Sequence, residues 1–519
     1  MNFEIIFVLL VLAGMIAALI WDGLRPGMVL LTVVVLFLCA GILTPKEMLE
    51  GFSNKGMITV GMLFLVSEGI RQSGALGQLI KRLLPVGKTT VFKAQLRMLP
   101  PIAFVSAFLN NTPVVVIFAP IIKRWAEAVK LPATKFLIPL SYVTILGGIC
   151  TLIGTSTNLV VHGMVLDAGY EGFTMFELGR VGIFIALAGI IYLFVFSGKL
   201  LPDSRADRYE EEDEDGTPGN LHRVEAVLGS RFPGINKTLG EFNFTRHYGA
   251  IVKEVKSGGQ RFTRDLDKVT LHEGDTLVLW ADDTFVPTWG ESSVFLLLAN
   301  GSDGTSSEPV SRKKRWLALG LLIFMIVGAT LGELPVVKEA LPEIRLDMFF
   351  FVCITTIIMA WTKIFPPKKY TKYISWDILI TIACAFAISK AMENSGFAML
   401  IASRIISMSS SLGPYALLAI LFVITNVFTE LVTNNAAAAL SFPIALSVAT
   451  QLGVDPTPFF VVICMAASAS FTTPIGYQTN LIVQGIGSYK FTDFVKIGLP
   501  LNIITFLISV FVIPMIWKF

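Results

Sequence analysis

The chain has 519 residues, of which 54% are hydrophobic and 15% are charged, and its mean hydropathy is +0.70. Soluble globular proteins carry about 25% charged residues, so this composition excludes an ordinary soluble domain and indicates a polytopic membrane protein. The net charge of +3 is too small to indicate a nucleic-acid partner. The five cysteines lie in apolar segments without paired spacing, which favours buried free thiols over disulfides or a metal site.

Apolar stretches of spanning length follow one another along the first 200 residues. They run at about 3–20, 27–43, 56–70, 136–166 with a break at Gly154, and 179–200. Another apolar stretch, at about 98–122, is cut at its centre by Asn110 and Asn111, and its arms look short for a full crossing. We therefore predict a first membrane repeat over 1–200, with five spans and a re-entrant helical hairpin that carries the amides at its tip.

The segment 201–312 is hydrophilic and separates the two apolar parts of the chain. An acidic run at 210–215 opens it and a Ser/Gly-rich linker at 300–307 closes it, and both are typical of solvated linkers. Between them, short β-like runs at 225–228, 249–255 and 273–280 alternate with turns. The pattern predicts a small α+β domain, inserted between the membrane repeats, with its core at 222–284.

The remaining residues repeat the pattern of the first part. Apolar stretches run at about 315–333, 347–363, 376–391, 458–487 with a break at Gly476, and 496–517. The stretch at about 414–449 is cut by Asn434 and Asn435. We therefore predict a second repeat of five spans and one re-entrant hairpin over 313–519.

An odd number of spans in each half makes the second half enter the membrane in the opposite orientation, so the two repeats are predicted to be inverted. In this scheme the basic clusters at 71–97, 123–135, 312–315 and 368–372 all fall on one side. The positive-inside rule places that side in the cytoplasm. The insert is then cytoplasmic, and both termini lie outside the cell.

Four polar breaks are paired across the two halves at nearly constant separation. The hairpin stretches read SAFLNNTP from Ser106 and TELVTNNA from Thr429, and the other two breaks read GTSTNL from Gly154 and GYQTNL from Gly476. Polar groups are expensive inside a bilayer unless they line a cavity or serve a function. A lone pair could merely join helices by hydrogen bonds, but four paired breaks favour an ion and substrate site of a secondary transporter.

The residue types at these breaks suit two kinds of ion. Amide, hydroxyl and freed backbone oxygens suit Na⁺, a hard cation, and the N–H groups of helix N-termini suit an anion. The hairpin motifs contain neither Lys nor Arg, so a bound anion would be neutralised mainly by bound cations and helix dipoles. This is a physical reason to couple anion uptake to sodium. Glu430, beside the second motif, could instead couple protons or form a structural pair.

The doubled hairpin and broken helix resemble the divalent anion/sodium symporter family, which is solute carrier family 13 within the ion transporter superfamily. The tip motif of that family is Ser-Asn-Thr, and the corresponding residues here are Asn110-Asn111-Thr112 and Thr433-Asn434-Asn435. The resemblance implies one Na⁺ site per half, with the anion between the two tips. It also implies a homodimer in the lipid bilayer and elevator-type motion of the part that carries the hairpins.

The resemblance implies two overlapping sets of site residues. The implied anion-binding residues are Asn110, Asn111, Thr112, Thr433, Asn434, Asn435, Thr157 and Thr479. The implied Na⁺ ligands are Ser106, Asn110, Asn111, Gly154, Asn158, Thr429, Thr433, Asn434, Gly476 and Asn480.

Both tips depart from Ser-Asn-Thr, and the four breaks look most like the bacterial and algal branch that is associated with sulfate. The insert is similar to a TrkA-C (RCK C-terminal) domain at 232–241, 248–252 and 271–277. A regulatory small-molecule ligand and a dimerisation role are both compatible with that similarity.

The sequence thus predicts a symporter of the bacterial inner membrane that imports a divalent anion with Na⁺, with sulfate ahead of C4-dicarboxylates. The alternatives are a sodium-coupled C4-dicarboxylate transporter and an RCK-regulated anion sensor or channel. A proton- or arsenite-type antiporter is compatible with the fold alone. An enzyme is not expected, because no Ser/His/Asp set or metal cluster converges in the sequence.

Overall fold

The computed structural model describes residues 3–21, 24–85, 87–203, 221–229, 231–282, 285–289, 294–300, 312–340, 345–409 and 413–519. The predicted acidic run at 210–215 lies outside these residues, and so does most of the predicted linker at 300–307. The described residues form two hydrophobic cores, a large one between the apolar helices and a small one within the insert.

The part before the insert consists of helices, and two of the predicted stretches are helix pairs. The bounds are α1 (Phe3–Trp21), α2 (Pro26–Cys39), α3 (Pro45–Glu50), α4 (Lys55–Gln72), α5 (Ala75–Leu83), α6 (Val91–Ser106), α7 (Asn111–Ala128), α8 (Thr134–Gly148), α9 (Ser156–Asp167) and α10 (Gly179–Leu200). The break predicted at Gly154 lies in the segment between α8 and α9, and the Asn110–Asn111 break separates α6 from α7.

The insert folds into an antiparallel sheet with short helices. Its elements are β1 (His222–Leu228), α11 (Leu239–Phe242), α12 (Phe244–Tyr248), β2 (Ile251–Ser257), β3 (Gln260–Phe262), β4 (Thr276–Ala281), α13 (Phe285–Trp289) and β5 (Phe295–Asn300). The strand order is β3-β2-β4-β1-β5. The three predicted strands correspond to β1, β2 and β4, and the sheet continues beyond the predicted core limit of 284, since β5 pairs with β1.

The part after the insert is again helical. Its helices are α14 (Arg312–Gly332), α15 (Pro335–Ala340), α16 (Met348–Trp361), α17 (Tyr370–Tyr373), α18 (Trp376–Asn394), α19 (Phe397–Ser409), α20 (Gly413–Leu431), α21 (Asn434–Leu452), α22 (Thr457–Ser468), α23 (Gln478–Gly487) and α24 (Phe491–Ile516). The break predicted at Gly476 separates α22 from α23.

Five of the described helices are long and apolar enough to cross a membrane: α1, α10, α14, α21 and α24. A sixth is counted if the bent segment from Pro367 to Asn394 is one span. Together with the shorter apolar helices, these elements make the chain a polytopic helical membrane protein. The argument that the hairpin arms are short is wrong for α21, which is itself one of the helices of spanning length, whereas α20 counts among the shorter apolar helices over Tyr415–Leu431. Helix α21 is set apart by its polar end and not by its length.

Helices α2 and α18 contact each other at both of their ends. They pack side by side, with Gly27 against Asp377 at their first turns. At the other end, Asn394 of α18 donates to the carbonyl oxygen of Ile42, which lies just beyond the last residue of α2. These two helices therefore run parallel.

The insert packs against the helices that carry the polar breaks. The Lys123 ammonium near the end of α7 lies 2.9 Å from a Glu225 carboxylate oxygen on β1, and Lys256 on β2 lies 3.4 Å from the same carboxylate. Val227 of the insert belongs to the large hydrophobic core. A Cβ at Gly485 of α23 would lie 2.5 Å from the Gly274 carbonyl oxygen, so the two backbones are in close contact. The insert is thus docked on α7 and α23.

Candidate functional site

The first hairpin tip, residues 106–112, is held by one buried amide. Helix α6 ends at Ser106 and α7 begins at Asn111, and both side chains are buried. The Ser106 hydroxyl donates a hydrogen bond to the side-chain oxygen Oδ1 of Asn111 at 2.8 Å. The side chain of Asn110, the N-cap residue, makes no capping hydrogen bond. The first N–H groups of α7 therefore have no N-cap side chain to donate to.

The first break, residues 149–158, closes against this tip. The Thr151 hydroxyl donates to the Ala107 carbonyl oxygen and accepts a hydrogen bond from the Gly154 N–H at 3.1 Å. The Asn158 amide donates to the Thr151 carbonyl oxygen at 2.9 Å. A Cβ at Gly154 would lie 2.5 Å from the Gly148 carbonyl oxygen, so a side chain at this position would displace the backbone.

The second tip, residues 429–435, and the second break, residues 469–480, repeat the same bonds. The Thr429 hydroxyl donates to the side-chain oxygen Oδ1 of Asn434 at 2.7 Å, as Ser106 does to Oδ1 of Asn111. Thr473 donates to the Glu430 carbonyl oxygen and accepts from the Gly476 N–H at 3.3 Å. The Asn480 amide donates to the Thr473 carbonyl oxygen at 3.1 Å. Each bond of the first half therefore has a counterpart 322 or 323 residues later.

The tips also contact the breaks of the opposite half. The side-chain nitrogen Nδ2 of Asn111 donates to the Tyr477 hydroxyl at 2.7 Å. The Thr157 hydroxyl donates to the side-chain oxygen Oδ1 of Asn435 at 3.2 Å. Weaker contacts lie beside them, between Thr112 and Gln478 at 3.5 Å and between Ser156 and Asn435 at 3.3 Å. Each tip thus contacts both breaks, and the four segments form a closed ring of contacts, here called the polar ring.

Two buried oxygens of the polar ring have no hydrogen-bond partner within the described part of the chain. They are the side-chain oxygen Oδ1 of Asn158 and the hydroxyl oxygen of Ser470. Buried polar atoms are almost always partnered, and an unpartnered oxygen is an available ligand for a cation. One lies in each break, where the helix ends also leave backbone carbonyls free.

The structure brings together the predicted site residues. Ser106, Asn111, Gly154 and Asn158 lie at the first tip and break, and Thr429, Asn434, Gly476 and Asn480 lie at the second. Thr157 and Asn435 bond to each other across the halves, and Thr479 accepts a hydrogen bond from Ser141 at 2.9 Å. Asn110 and Thr433 are the N-cap residues of α7 and α21.

Several residues of the ring are absent from the predicted set, among them Thr151, Ser156, Thr473, Tyr477 and Gln478. A sequence signal existed for the two threonines, since the pattern Thr-x-Ile-Gly occurs at 151–154 and again at 473–476. Nothing in the sequence indicated that the Tyr477 side chain reaches the other half, because Thr155 stands at the matching position.

A polytopic helical protein with a buried polar ring between two broken helices has the construction of a membrane transporter. A sequence profile of the citrate transporter family, CitMHS, matches residues 16–353 and 336–519. The chain therefore belongs to the citrate transporter family. Members of this family are transporters and not enzymes, and the chain is an integral membrane protein.

Similar proteins cover nearly all of the chain. It is 28% identical to an uncharacterised transporter of Synechocystis sp., over 99% of this chain and 98% of the relative. It is 28% identical to a putative sulfur deprivation response regulator of Chlamydomonas reinhardtii, over 92% of this chain and 95% of the relative. A probable sodium/sulfate cotransporter of the same alga is 24% identical, over 91% of this chain and 84% of the relative.

Proposed function

We propose that this chain is a sodium-coupled symporter that imports a divalent anion, with sulfate ahead of C4-dicarboxylates. The observation that carries the proposal is the polar ring, in which two equivalent sets of hydroxyl, amide and backbone oxygens meet at the ends of broken helices. The relatives named sodium/sulfate cotransporters support both the coupling ion and the anion.

Sodium is assigned to two sites, one at each tip and break. The first has Ser106, Asn110, Asn111, Gly154 and Asn158, and the second has Thr429, Thr433, Asn434, Gly476 and Asn480. The donor sets fit the ion, because they consist of neutral oxygens. Asn158 of the first set has an unpartnered buried oxygen, and the Ser470 hydroxyl adds another in the second break, beside the second set. A neutral set binds a cation weakly by itself, so a neighbouring anion strengthens it.

The anion is assigned to the space between the tips. The residues proposed to face it are Asn110, Asn111, Thr112, Thr157, Thr433, Asn434, Asn435 and Thr479. Helices α7 and α21 both begin at these residues, so their first N–H groups and positive dipole ends are directed to the same region. No fixed cation is needed there if two Na⁺ ions bind beside the anion, and this makes the binding of the anion depend on sodium.

The two membrane parts, 1–200 and 313–519, are proposed to be inverted repeats in an elevator-type homodimer. The matching order of helices and the repeated hydrogen bonds support the repeat. The insert contacts the Lys123 end of α7, and the basic cluster at 312–315 contacts the end of α4 through Arg315 and the Ser73 carbonyl oxygen. We assign this side to the cytoplasm and both termini to the outside, in the bacterial inner membrane.

The insert, 201–312, is proposed to be a TrkA-C-like domain that senses a small molecule. A cavity of about 250 Å³ lies between its loops at 256–259 and 272–275 and the end of α23. Because α23 follows the second break directly, a ligand in this cavity would act on a helix of the proposed transport site.

The experiment is uptake of radiolabelled sulfate by proteoliposomes, with and without an inward Na⁺ gradient, and with excess succinate as competitor. The proposal expects sodium-driven uptake that succinate leaves unchanged. Uptake that succinate or citrate blocks would instead establish a dicarboxylate or tricarboxylate symporter, which is what the family name describes.

A sensor is the second candidate, favoured by the relative named a sulfur deprivation response regulator. A sensor would bind sulfate in the presence of sodium without any flux across the membrane. Sulfate binding to the purified chain, measured beside the uptake experiment, separates these two functions.

A further inference from the structure

Tyr477 and Thr155 occupy the same position in the two halves, but only one of them carries a long side chain. They are the N-cap residues of α23 and α9, and their backbone conformations are nearly identical, with φ −139° and ψ 131° for Tyr477 and φ −138° and ψ 145° for Thr155. The difference between the halves at this position is therefore in the side chain alone.

The phenol of Tyr477 reaches the site of the first half. Its oxygen accepts a hydrogen bond from the Asn111 amide at 2.7 Å and lies 3.2 Å from the Thr155 hydroxyl. The carbonyl oxygen of the same Asn111 amide accepts from Ser106 at 2.8 Å. The amide is thus held at both ends, and its orientation depends on a residue 366 positions away.

Resting on the proposed function, we infer that Tyr477 determines which anion the polar ring accepts and links that anion to the first Na⁺ site. Because the phenol oxygen accepts from Asn111, its O–H is left to donate, either to the Thr155 hydroxyl or, when an anion is bound, to an anion oxygen. The aromatic ring of Tyr477 carries the phenol oxygen across to Asn111, so the ring occupies volume beside the first tip. Both properties favour a compact oxyanion over an extended dicarboxylate.

The link to sodium follows from the shared amide. An anion that draws the phenol toward itself keeps the Asn111 nitrogen at the phenol and the Asn111 carbonyl oxygen at the Na⁺ site. Loss of the phenol hydroxyl frees the amide to rotate, which weakens sodium binding at the first tip. Tyr477 therefore acts on the anion directly and on sodium by positioning Asn111.

Two variants of the full-length protein test the inference. Tyr477→Phe removes only the hydroxyl, and we expect the sulfate concentration and the Na⁺ concentration for half-maximal uptake each to rise about tenfold, the effect of one lost hydrogen bond to a charged group. Tyr477→Thr copies Thr155 and removes the aromatic ring, and we expect succinate to compete with sulfate. Tyr415→Phe, at an exposed position of α20, is the control and should match the wild type.

The outcomes separate this inference from the proposed function. If the wild type shows no sodium-driven anion uptake, the proposed function is wrong. If the wild type takes up sulfate but Tyr477→Phe has unchanged half-maximal concentrations, or only a lower maximal rate, the inference is wrong and the function stands. Competition by succinate in the wild type would also overturn the inference. Tyr477→Phe keeps the ring and its packing, so it decides the matter if Tyr477→Thr does not fold.

Discussion

The two halves of the polar ring make the same hydrogen bonds but differ in the side chains around them. Where the first half has Gly148 and Ala107, the second has Ser470 and Glu430. The Glu430 carboxylate accepts hydrogen bonds from the Thr472 and Thr473 N–H groups at 2.8 and 2.9 Å. The second break is therefore held by a charged side chain, while the first break is held by close backbone packing. The two proposed Na⁺ sites, although built from equivalent residues, are therefore expected to differ in rigidity and affinity.

The shared part of the design is tested by removing the amide of each tip. Asn111→Ala and Asn434→Ala should each abolish sodium-driven anion uptake, because each removes a proposed Na⁺ ligand. Asn111→Ala also removes the acceptor for the Ser106 hydroxyl, whereas the Thr429 hydroxyl keeps the Ala467 carbonyl oxygen. The measurement is uptake by proteoliposomes at a saturating Na⁺ concentration. The control is Asn394→Ala, which removes hydrogen bonds to the Ile42 carbonyl oxygen and the Glu47 carboxylate, none of which belongs to the four segments of the ring. A folded tip variant with wild-type sodium dependence would remove that tip from the site.

The packing of the first break is tested at Gly148. A Cβ there would lie 2.7 Å from the Asn111 carbonyl oxygen, and Ser106 and Tyr477 hold that amide in place. Gly148→Ser should therefore lower uptake by more than about tenfold. Gly198→Ser is the control, because a Cβ at Gly198 has no atom within 4 Å in the described structure. Equal uptake by the two variants would show that the first break tolerates a side chain.

The hydrogen bonds that the Glu430 carboxylate accepts from the second break are tested by Glu430→Gln. Glutamine has one acceptor oxygen, so it leaves one of the Thr472 and Thr473 N–H groups without its bond, at a cost of about 1–3 kcal/mol. We expect about tenfold more Na⁺ to be required for half-maximal uptake. The control is Glu393→Gln, which changes a partly exposed pair with Lys390. Uptake that shifts its pH dependence, with sodium dependence unchanged, would instead indicate proton coupling through Glu430.

The Ser470 hydroxyl of the second break has no equivalent in the first half, where Gly148 stands at the matching position. Ser470→Gly therefore tests what this hydroxyl contributes. The Ser470 hydroxyl is buried and lacks a partner among the described residues, so as a Na⁺ ligand it would strengthen only the second site. We expect a rise of about threefold in the Na⁺ concentration for half-maximal uptake, since neighbouring oxygens remain. Unchanged sodium dependence together with higher thermal stability would make Ser470 an unsatisfied hydroxyl without a role in ion binding.

The smallest effect on transport is expected at the docking contact of the insert. Burial by itself would raise the pKa of the Glu225 carboxyl, but Lys123 and Lys256 beside it lower that pKa well below its usual value of 4.5. A lowered carboxyl pKa stabilises the docked form above pH 4.5, and the stabilisation is lost as the pH falls below that value. Glu225→Gln should remove this pH dependence and lower the midpoint of thermal unfolding at pH 7, by on the order of 2 °C.

The measurement for Glu225 is the unfolding temperature of the purified protein between pH 3 and 7. Asp265→Asn is the control, because Asp265 forms an exposed pair with Lys268 in the same insert. An identical pH profile for wild type and Glu225→Gln would contradict the docking role of the Lys123–Glu225–Lys256 contact.

The sequence predicted four of the five described helices of spanning length, α1, α10, α14 and α24, since an apolar run of that length has one stable form in a bilayer. It assigned the fifth, α21, to a re-entrant hairpin. The predicted span at 179–200 is α10 itself, and the breaks at Gly154 and Gly476 lie between helices as predicted. The hairpin at 98–122 was predicted too short. Helix α6 extends back to Val91, where Thr90 accepts a hydrogen bond from the Lys93 N–H, and α7 extends to Ala128 through a charged turn that a hydropathy pattern does not include.

The insert shows a different limit of sequence patterns. Strands β1, β2 and β4 carry buried apolar residues and were predicted, whereas β3 has three residues and β5 lies beyond the expected core. A short edge strand exists only because a neighbouring strand supplies its hydrogen bonds, so its own sequence gives a weak signal.

The amino-acid sequence by itself determined that this is a membrane protein with two matching sets of helix breaks, because hydropathy and the cost of buried polar groups act locally along the chain. Only the tertiary structure decided which breaks meet. Asn111 bonds to Tyr477, and Thr157 bonds to Asn435, across separations of 366 and 278 residues. Such pairs depend on how helices from both halves pack against one another, and that packing is a property of the whole core.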